Sequence, residues 1–298
     1  MNRNISTLLF SLSLSAYSGH VFSWNILTDK LDMSCEQSKT TLNCTYRALV
    51  PNMITDISAN SNTDRLQIIK INQSSEGKKS TAILFLVDTS DPNRQNVIEK
   101  NKSHIKKMLS KVNSDHKVGL ASFDKSIKLL APIGTSKLLL SKSVDTLNAD
   151  GKTTELYRNL IKAIEHLKSF TAHRKLIVLL SDGQAEDKAY FHNDVIREAR
   201  KHAVVINSIG YPRTVSLSVS LQTMRRLSEE TGGFFFETNM RYELPSKILT
   251  SFINNLTNTR QFTVELDSLS QNHPAPKTIT LVVESQSGVE NINIPVKI

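Results

Sequence analysis

Short apolar runs alternate with stretches of helical periodicity between residues 80 and 257, and this alternation constrains the fold more than any other feature of the chain. The stretch STAILFLVD contains a continuous apolar run of strand length, as in a parallel strand covered on both faces. Two later runs, RKLIVLLSD and AVVINSIG, are of the same kind, and TELYRNLIKAIEHLKSF repeats apolar residues at helical spacing. The pattern predicts an α/β domain with a doubly wound, mainly parallel sheet.

The segments on both sides of this domain consist of short extended candidates separated by polar clusters, which predicts β structure. We expect an N-terminal β segment over residues 24–79 and a C-terminal β segment over residues 258–298. If the α/β domain is an insertion, the two segments pair into one discontinuous β-sandwich-like domain. Two separate β modules are the alternative, and strands before Asn72 that pair with strands after Arg260 would exclude it.

The first 23 residues have the features of a cleaved secretory signal. A basic residue, Arg3, precedes an apolar and serine-rich stretch, and small residues lie just before Trp24. The stretch is shorter than the roughly 20 mostly apolar residues that cross a bilayer, and no later stretch qualifies. We therefore expect a secreted or periplasmic protein of 298 − 23 = 275 residues without a transmembrane segment.

The chain has two cysteines, Cys35 and Cys44. In an exported protein the environment is oxidising, so a disulfide between them is the first expectation. A free pair or a metal-binding pair remains open, although no histidine accompanies the cysteines at a ligand spacing.

The formal net charge is +9, and the basic residues are spread over many segments. Without a basic block, a zinc-finger spacing or a glycine-rich phosphate loop, the sequence does not predict a nucleic-acid partner. The histidines lie on polar stretches and are interpreted as solvated surface groups: His104, His166, His173, His192 and His202.

Acidic residues follow two of the predicted parallel strands. Asp88 ends the first strand and Asp182 ends a later one, at the edge of the sheet where doubly wound folds bind ligands. The residues around each of these two strand ends also have a simpler, structural interpretation. Asp91 and Pro92 are typical of the cap and first position of a helix, and Asp182 with the next glycine is typical of a turn.

Four separated motifs occur in one order: FLVDTSD, DGKTTELYRNL, VLLSDGQAED and LSEETGGFFFET. Over residues 80–257 this order resembles a von Willebrand factor type A (vWA) domain. That family's metal-ion-dependent adhesion site uses an Asp-x-Ser-x-Ser turn, a threonine from a second loop and an aspartate from a third. The resemblance assigns metal binding to four residues, with Thr153 as an alternative to the threonine: Asp88, Ser90, Thr154 and Asp182.

The final serine of the motif is absent, and Pro92 stands in its place. The resemblance implies Mg²⁺ or Mn²⁺, and Mg²⁺ prefers six oxygen ligands and gives up its waters reluctantly. Losing one hydroxyl leaves a position for water or for Asp91, so we expect the metal to be bound weakly or not at all.

The resemblance implies a protein-binding or adhesion module, with a protein partner that completes the metal shell through an acidic side chain, and no enzymatic turnover. A metal-independent structural component of an envelope or secreted complex is the alternative. A more remote alternative is a haloacid-dehalogenase-like phosphatase that uses Asp88, Asp182 and Asp187. That chemistry needs a second acid two residues after the nucleophile, where this chain has Ser90.

Overall fold

The computed structural model describes the chain in separate ranges, and the first 21 residues of the predicted signal lie outside them. Phe22 and Ser23 belong to the first strand, so a cut after Ser23 would fall inside that strand. The described ranges are 22–28, 31–48, 54–61, 64–71, 81–114, 116–214, 219–246, 248–249, 260–266, 277–285 and 288–296.

Two compact units divide the chain, residues 78–257 and residues 1–77 with 258–298. The strands of the second unit are β1 (Phe22–Leu27), β2 (Leu31–Gln37), β3 (Thr41–Ala48), β4 (Ile54–Ser61), β5 (Asp64–Leu66), β6 (Ile68–Ile71), β13 (Arg260–Glu265), β14 (Lys277–Ser285) and β15 (Gly288–Val296). The strands of the first unit are β7 (Thr81–Asp88), β8 (Lys117–Phe123), β9 (Ile127–Ala131), β10 (Arg174–Ser181), β11 (Val204–Gly210) and β12 (Phe235–Glu237).

Among its described residues, the unit of residues 78–257 also has five α-helices: α1 (Gln95–Lys111), α2 (Lys137–Asp145), α3 (Leu156–Lys168), α4 (His192–Lys201) and α5 (Val219–Glu230). A 3-10 turn, Pro92–Arg94, precedes α1. Within the described ranges, none of the helices is long and apolar enough to cross a membrane.

The sheet of this unit has the order β12-β11-β10-β7-β8-β9. Its strands pair in parallel except β9, which is antiparallel to β8 at the edge. The side chains from Ala82 to Val87 on β7 have no exposed surface, as expected of a central strand covered on both faces. The predicted doubly wound, mainly parallel α/β fold is therefore confirmed.

The helices pack on this sheet through the apolar faces that the sequence predicts. On α3, Leu156, Leu160, Ile164 and Leu167 are buried, while Ile161 packs against the core from a partly buried position. The spacing of three and four residues places these side chains on one face, which provides most of the stabilisation of such a helix.

The terminal unit contains two antiparallel sheets, with the orders β1-β2-β3-β13-β6 and β15-β14-β4-β5. β13 lies between β3 and β6, and β14 pairs with β4, so strands from both ends of the chain share each sheet. Apolar side chains from both sheets form one core, which includes Trp24, Leu42, Phe262, Leu281 and Ile294. The expected β-sandwich-like domain built from both termini is confirmed.

Cys35 on β2 lies directly opposite Cys44 on β3, and the two form a disulfide. Both side chains are buried in the core of the terminal unit. The disulfide interpretation is confirmed, and the free or metal-binding pair is excluded.

Candidate functional site

Three parallel strands end at the same edge of the central sheet and carry the polar residues of the candidate site. β7 ends at Asp88, β10 ends at Ser181, and β11 ends at Gly210, just before Tyr211. Because the strands are parallel, the loops that follow them meet at this edge.

Oxygen atoms from two distant segments lie within hydrogen-bonding distance of one another. Asp88 Oδ1 accepts from the backbone N–H of Ser90 at 3.0 Å and from Ser90 Oγ at 2.6 Å. Thr154 Oγ1 donates to Ser90 Oγ at 2.5 Å. Of the two candidate threonines, Thr153 and Thr154, it is therefore Thr154 that contacts Ser90. Ser90 and Thr154 are both buried, which leaves little solvent to compete for these oxygens.

A glycine permits the close approach of the segment that carries Thr154. The N–H of Gly151 donates to the carbonyl oxygen of Thr89 at 3.0 Å. A Cβ at Gly151 would lie 2.5 Å from Asp124 Cβ and 2.9 Å from Ser90 Cα, so any larger residue would displace the loop.

Ser181 joins the site through the second oxygen of Asp88. Its hydroxyl donates to Asp88 Oδ2 at 2.7 Å and accepts from the N–H of Gly183 at 2.9 Å. The sequence interpretation missed this residue, although it is the last residue of β10 and directly precedes Asp182. Its position at a strand end was the signal that could have identified it.

Burial, and after it the nearby negative charge of Asp182, raise the pKa of Asp88 to about 6. The hydrogen bonds from Ser90 and Ser181 oppose this rise but do not cancel it. A carboxylate whose ionised form is disfavoured in this way gains from a cation placed beside it. The electrostatics at Asp88 therefore favour a bound positive charge.

Asp182 lies at the same edge but is bound to two guanidinium groups. Its Oδ2 accepts from Arg213 Nε at 2.5 Å and is 3.3 Å from Arg94 Nη1. Its Oδ1 accepts from the N–H of Gln184 at 3.0 Å, which is the turn contact expected of an Asp-Gly sequence. The turn interpretation of Asp182 is therefore confirmed, and its role as a metal ligand stays a prediction.

Asp91 caps the 3-10 turn, as the simpler interpretation predicted, and Pro92 takes its first position. Asp91 Oδ1 accepts from the N–H of Asn93 at 3.0 Å, and Oδ2 accepts from Arg213 Nη1 at 2.7 Å. Partial burial works to raise the pKa of Asp91, but these contacts outweigh it and leave the pKa below its usual value. The α-helix begins three residues later than the predicted start at Pro92.

Arg94 is fixed in place by two aromatic residues. Its Nη2 donates to the carbonyl oxygen of Tyr211 at 3.0 Å, and its guanidinium carbon lies 5.6 Å from the centre of the Tyr242 ring. The sequence interpretation assigned no role to Arg94 or Arg213. Arg213 follows β11 closely, but a strand end indicates a loop position and not the direction of a long side chain.

The interpretation of His104 as a surface group is wrong. His104 is buried, and its Nδ1 lies 2.9 Å from the hydroxyl of Tyr211. Burial, and after it the positive charges of Lys107 and Lys100, lower the pKa of His104 to about 4. The helical spacing of Val97, His104 and Met108 places all three on the buried face of α1, which was the available signal.

The oxygens around Asp88 suit a hard cation, whereas the acids alone do not form a complete site. Among the described residues, no group of three or more His, Cys, Asp or Glu side chains is arranged to hold a metal. An ion here would depend on the hydroxyls of Ser90 and Thr154 and on water, which is chemistry that Mg²⁺ accepts. The four predicted ligands therefore divide into Asp88, Ser90 and Thr154, which are in contact, and Asp182, which is bound to arginine.

A pocket lies beside these groups and has an unused acceptor in its wall. Asn101 Oδ1 is buried and has no hydrogen-bond partner among the described residues. The wall combines polar and apolar groups, among them Asp88, Ser90, Asp91, Asp182, Ile98, Asn101 and Tyr211. The polar side chains of this lining could accept hydrogen bonds from a polar or positively charged ligand.

Asp187, the second-loop acid of the phosphatase alternative, binds the start of a helix. Its two carboxylate oxygens accept from the N–H groups of Tyr157 at 3.1 Å and Arg158 at 2.8 Å, in the first turn of α3. An acid at this end of a helix compensates the unpaired N–H groups there. Asp187 thus has a structural explanation at the start of α3.

Known proteins resemble the chain at the level of sequence and of fold. Over 165 residues it is 27% identical to an uncharacterized protein of Borreliella burgdorferi, a match that covers 49% of this chain and 48% of that protein. The chain thus spans about half the length of that curated relative. Its fold is similar to that of a von Willebrand factor type A protein from Catenulispora acidiphila, with a TM-score of 0.53, 9% identity and coverage of 99% of this chain and 74% of the other.

The fold is also similar to that of proximal thread matrix protein 1 from the mussel byssus. That structure was solved with zinc in its metal-ion-dependent adhesion site (MIDAS) motif. The TM-score is 0.52 at 18% identity, and the match covers 65% of this chain and 49% of the mussel protein. At these identities the similarity concerns the fold. The von Willebrand factor type A domain family itself matches residues 82–248, which is more than half of the sequence. With the sheet order described above, this match leads to the conclusion that the chain belongs to the von Willebrand factor type A domain family.

Proposed function

We propose that this protein is a protein-binding module that recognises its partner at the carboxyl edge of the central sheet, with a divalent cation held by Asp88, Ser90 and Thr154 and, in the bound state, Asp182. The observation that carries the proposal is the convergence of three side-chain oxygens from two distant segments. Ser90 Oγ lies 2.6 Å from Asp88 Oδ1 and 2.5 Å from Thr154 Oγ1. No turnover is part of this function.

A cation at this position supplies an open coordination site to which a carboxylate of the partner can bind. The chain's own contribution is to orient the ligands. Ser181 holds the second oxygen of Asp88, and Gly151 lets the segment of Thr154 approach Ser90. Two neutral hydroxyls leave more of the ion's charge for the partner than carboxylates would, which favours an acidic partner group.

Mg²⁺ and Mn²⁺ are the ions that the oxygen ligands favour. The mussel byssus protein of similar fold has zinc at its MIDAS motif, which supports the inclusion of zinc in any test. Pro92 supplies no hydroxyl, so the proposed affinity is lower than that of a complete motif.

Binding without metal is the second candidate, and the arginine contacts favour it. Arg213 and Arg94 already place positive charge on Asp182, and Arg213 does so on Asp91. A site neutralised in this way could act as a structural or assembly surface of an envelope or secreted complex. Its association would be insensitive to a chelator.

We also propose that the protein functions in an oxidising compartment outside the cytoplasm. The disulfide between Cys35 and Cys44 supports this location, because such bonds persist mainly in exported proteins.

Calorimetric titration with Mg²⁺, Mn²⁺ and Zn²⁺ tests the metal. We expect binding by the wild type and none by Asp88→Ala. Asp145→Ala is the matched control, because Asp145 is an exposed acid that pairs with Lys106 away from the site. Equal heats for the wild type and Asp88→Ala would contradict the metal-binding proposal.

A displayed library of random peptides tests the partner chemistry. We expect metal-loaded protein to enrich peptides that contain Asp or Glu, and we expect the enrichment to disappear with chelator and with Asp88→Ala. Enrichment of acidic peptides that survives the chelator would support the metal-independent candidate instead.

A further inference from the structure

Asp182 is the acid that the family motif offers to a metal, yet both of its oxygens already have partners. Oδ1 accepts from the N–H of Gln184, and Oδ2 receives Arg213 Nε at 2.5 Å with Arg94 Nη1 at 3.3 Å. Arg213 hydrogen-bonds to Oδ2 and Arg94 forms an ion pair with it, so two guanidinium groups already lie against this oxygen. A metal ion and Arg213 therefore compete for the same oxygen.

On the basis of the proposed metal-dependent function, we propose that Arg213 is an internal competitor of the metal. Its guanidinium must leave Asp182 and Asp91 before these acids can serve a divalent cation, and the strength of its contacts sets the metal affinity of the site. Arg213 is thus an affinity-determining residue that the family motif does not contain.

The formal charges agree with an exchange of one cation for the other. Asp88, Asp91 and Asp182 carry −3, and Arg94 and Arg213 carry +2, so the group has −3 + 2 = −1. A divalent ion added to this group would give −1 + 2 = +1. If Arg213 turns into solvent at the same time, the sum is −3 + 1 + 2 = 0, so metal binding with release of Arg213 leaves the group neutral.

Arg213 is better placed to leave than Arg94. The side chain of Arg94 is 14% exposed, and it would lose its hydrogen bond to the Tyr211 carbonyl and its contact with the Tyr242 ring. The side chain of Arg213 is 35% exposed, and its contacts at the site are with the two acids that the metal would neutralise. The positive charge of the metal thus replaces the ion pairs that Asp91 and Asp182 lose when Arg213 is released.

The decisive experiment compares Arg213→Gln with Arg197→Gln by calorimetric titration of the full chain with Mg²⁺ and Mn²⁺. Arg197 is the matched control, because it is an exposed arginine that pairs with Asp194 in its own helix. We expect Arg213→Gln to bind metal roughly ten- to hundred-fold more tightly than the wild type, since charge-assisted hydrogen bonds no longer have to be broken. Arg197→Gln should match the wild type.

A spectroscopic readout follows the guanidinium itself. In ¹⁵N-labelled protein, the Nε–H resonance of Arg213 is assigned by its absence from Arg213→Gln. We expect metal to move this resonance to the position of solvent-exposed arginines. A resonance that stays unchanged at metal saturation would overturn the exchange.

The outcomes separate this inference from the function on which it rests. If neither the wild type nor Arg213→Gln binds metal, the metal-dependent function fails and the competition fails with it. If the wild type binds metal and Arg213→Gln binds no more tightly, the function stands and the competition is refuted.

Arg213→Lys serves if the glutamine variant does not fold, because it keeps the charge but lacks the planar fork that reaches both acids. Its metal affinity should lie above that of the wild type. An affinity equal to or below the wild-type value would count against the proposal.

Discussion

Thr154 Oγ1 lies 2.5 Å from Ser90 Oγ although the two residues are 64 positions apart in the chain. The contact joins the loop after β7 to the segment before α3, and both side chains are buried. It places two hydroxyls side by side next to Asp88, which is the arrangement that the proposed function requires.

Thr154→Val removes this hydroxyl and keeps the shape of the side chain. We expect metal affinity to fall by about tenfold or more, since a ligand and the orientation of Ser90 are lost together. Thr154→Ser keeps the hydroxyl and should retain most of the affinity, which calorimetric titration of both variants would show. Equal affinities for the valine and serine variants would contradict the role of Thr154.

Asp88→Asn should stabilise the metal-free protein at neutral pH while abolishing metal binding. The folded-state pKa of Asp88, about 6, lies above the usual value of 3.8, so its contribution to stability is lost as the pH rises through 6. We expect the variant to gain about 1–3 kcal/mol in unfolding free energy at pH 7 and little at pH 4. Urea denaturation in the presence of a chelator, followed by the circular dichroism of the helices, measures the unfolding free energy at both pH values. A variant less stable than the wild type at pH 7 would refute the argument.

Pro92→Ser restores the hydroxyl that the family motif has and this chain lacks. We expect a several-fold gain in Mg²⁺ affinity and a loss of stability of about 0.4–1 kcal/mol, because proline suits the first position of the turn. Pro92→Ala is the control, since it removes the proline without adding a ligand. If the serine and alanine variants bind Mg²⁺ alike, the missing hydroxyl is not what weakens the site.

His104 should make the vWA unit sensitive to acid. Its folded-state pKa of about 4 lies below the usual value of 6.5, so the unfolded chain binds more protons and stability falls as the pH drops from 6.5 to 4. Between pH 7 and pH 4 the wild type should lose about 3 kcal/mol more than His104→Gln. Asp88 titrates in both proteins, so its opposite effect cancels in this difference. Parallel stability curves would show that His104 does not titrate in this way.

The strands and helices of the central sheet, and the edge at which Asp88 and Asp182 lie, were accessible from the sequence because they depend on local patterns. The apolar run of β7 and the helical spacing on α3 report burial directly, and Asp88 and Asp182 follow strands whose ends meet. The family motif then identified Ser90 and Thr154, which the structure places in contact.

The arginines of the site were not accessible in this way. Arg213 reaches Asp91 across 122 positions of sequence, and a long flexible side chain carries no periodic signal of its direction. The position of β13 between β3 and β6 is a similar case. The sequence predicted that the two terminal segments pair, but which strands become neighbours depends on the whole fold and not on local sequence.

The disulfide offers a test of the terminal unit that does not disturb the site. It closes a loop between residues nine positions apart in the chain, so the double variant Cys35→Ala/Cys44→Ala should lose about 2.5 kcal/mol of stability. Trp24, the one tryptophan of the chain, pairs with Cys35 across the sheet and reports on this unit by fluorescence. The described helices all belong to the other unit, which has its own core, so the circular dichroism transition should keep its midpoint. Reduction of the wild type controls for the smaller side chains of the variant. An unshifted tryptophan transition in both experiments would mean that the packing of β2 against β3 is stable without the bond.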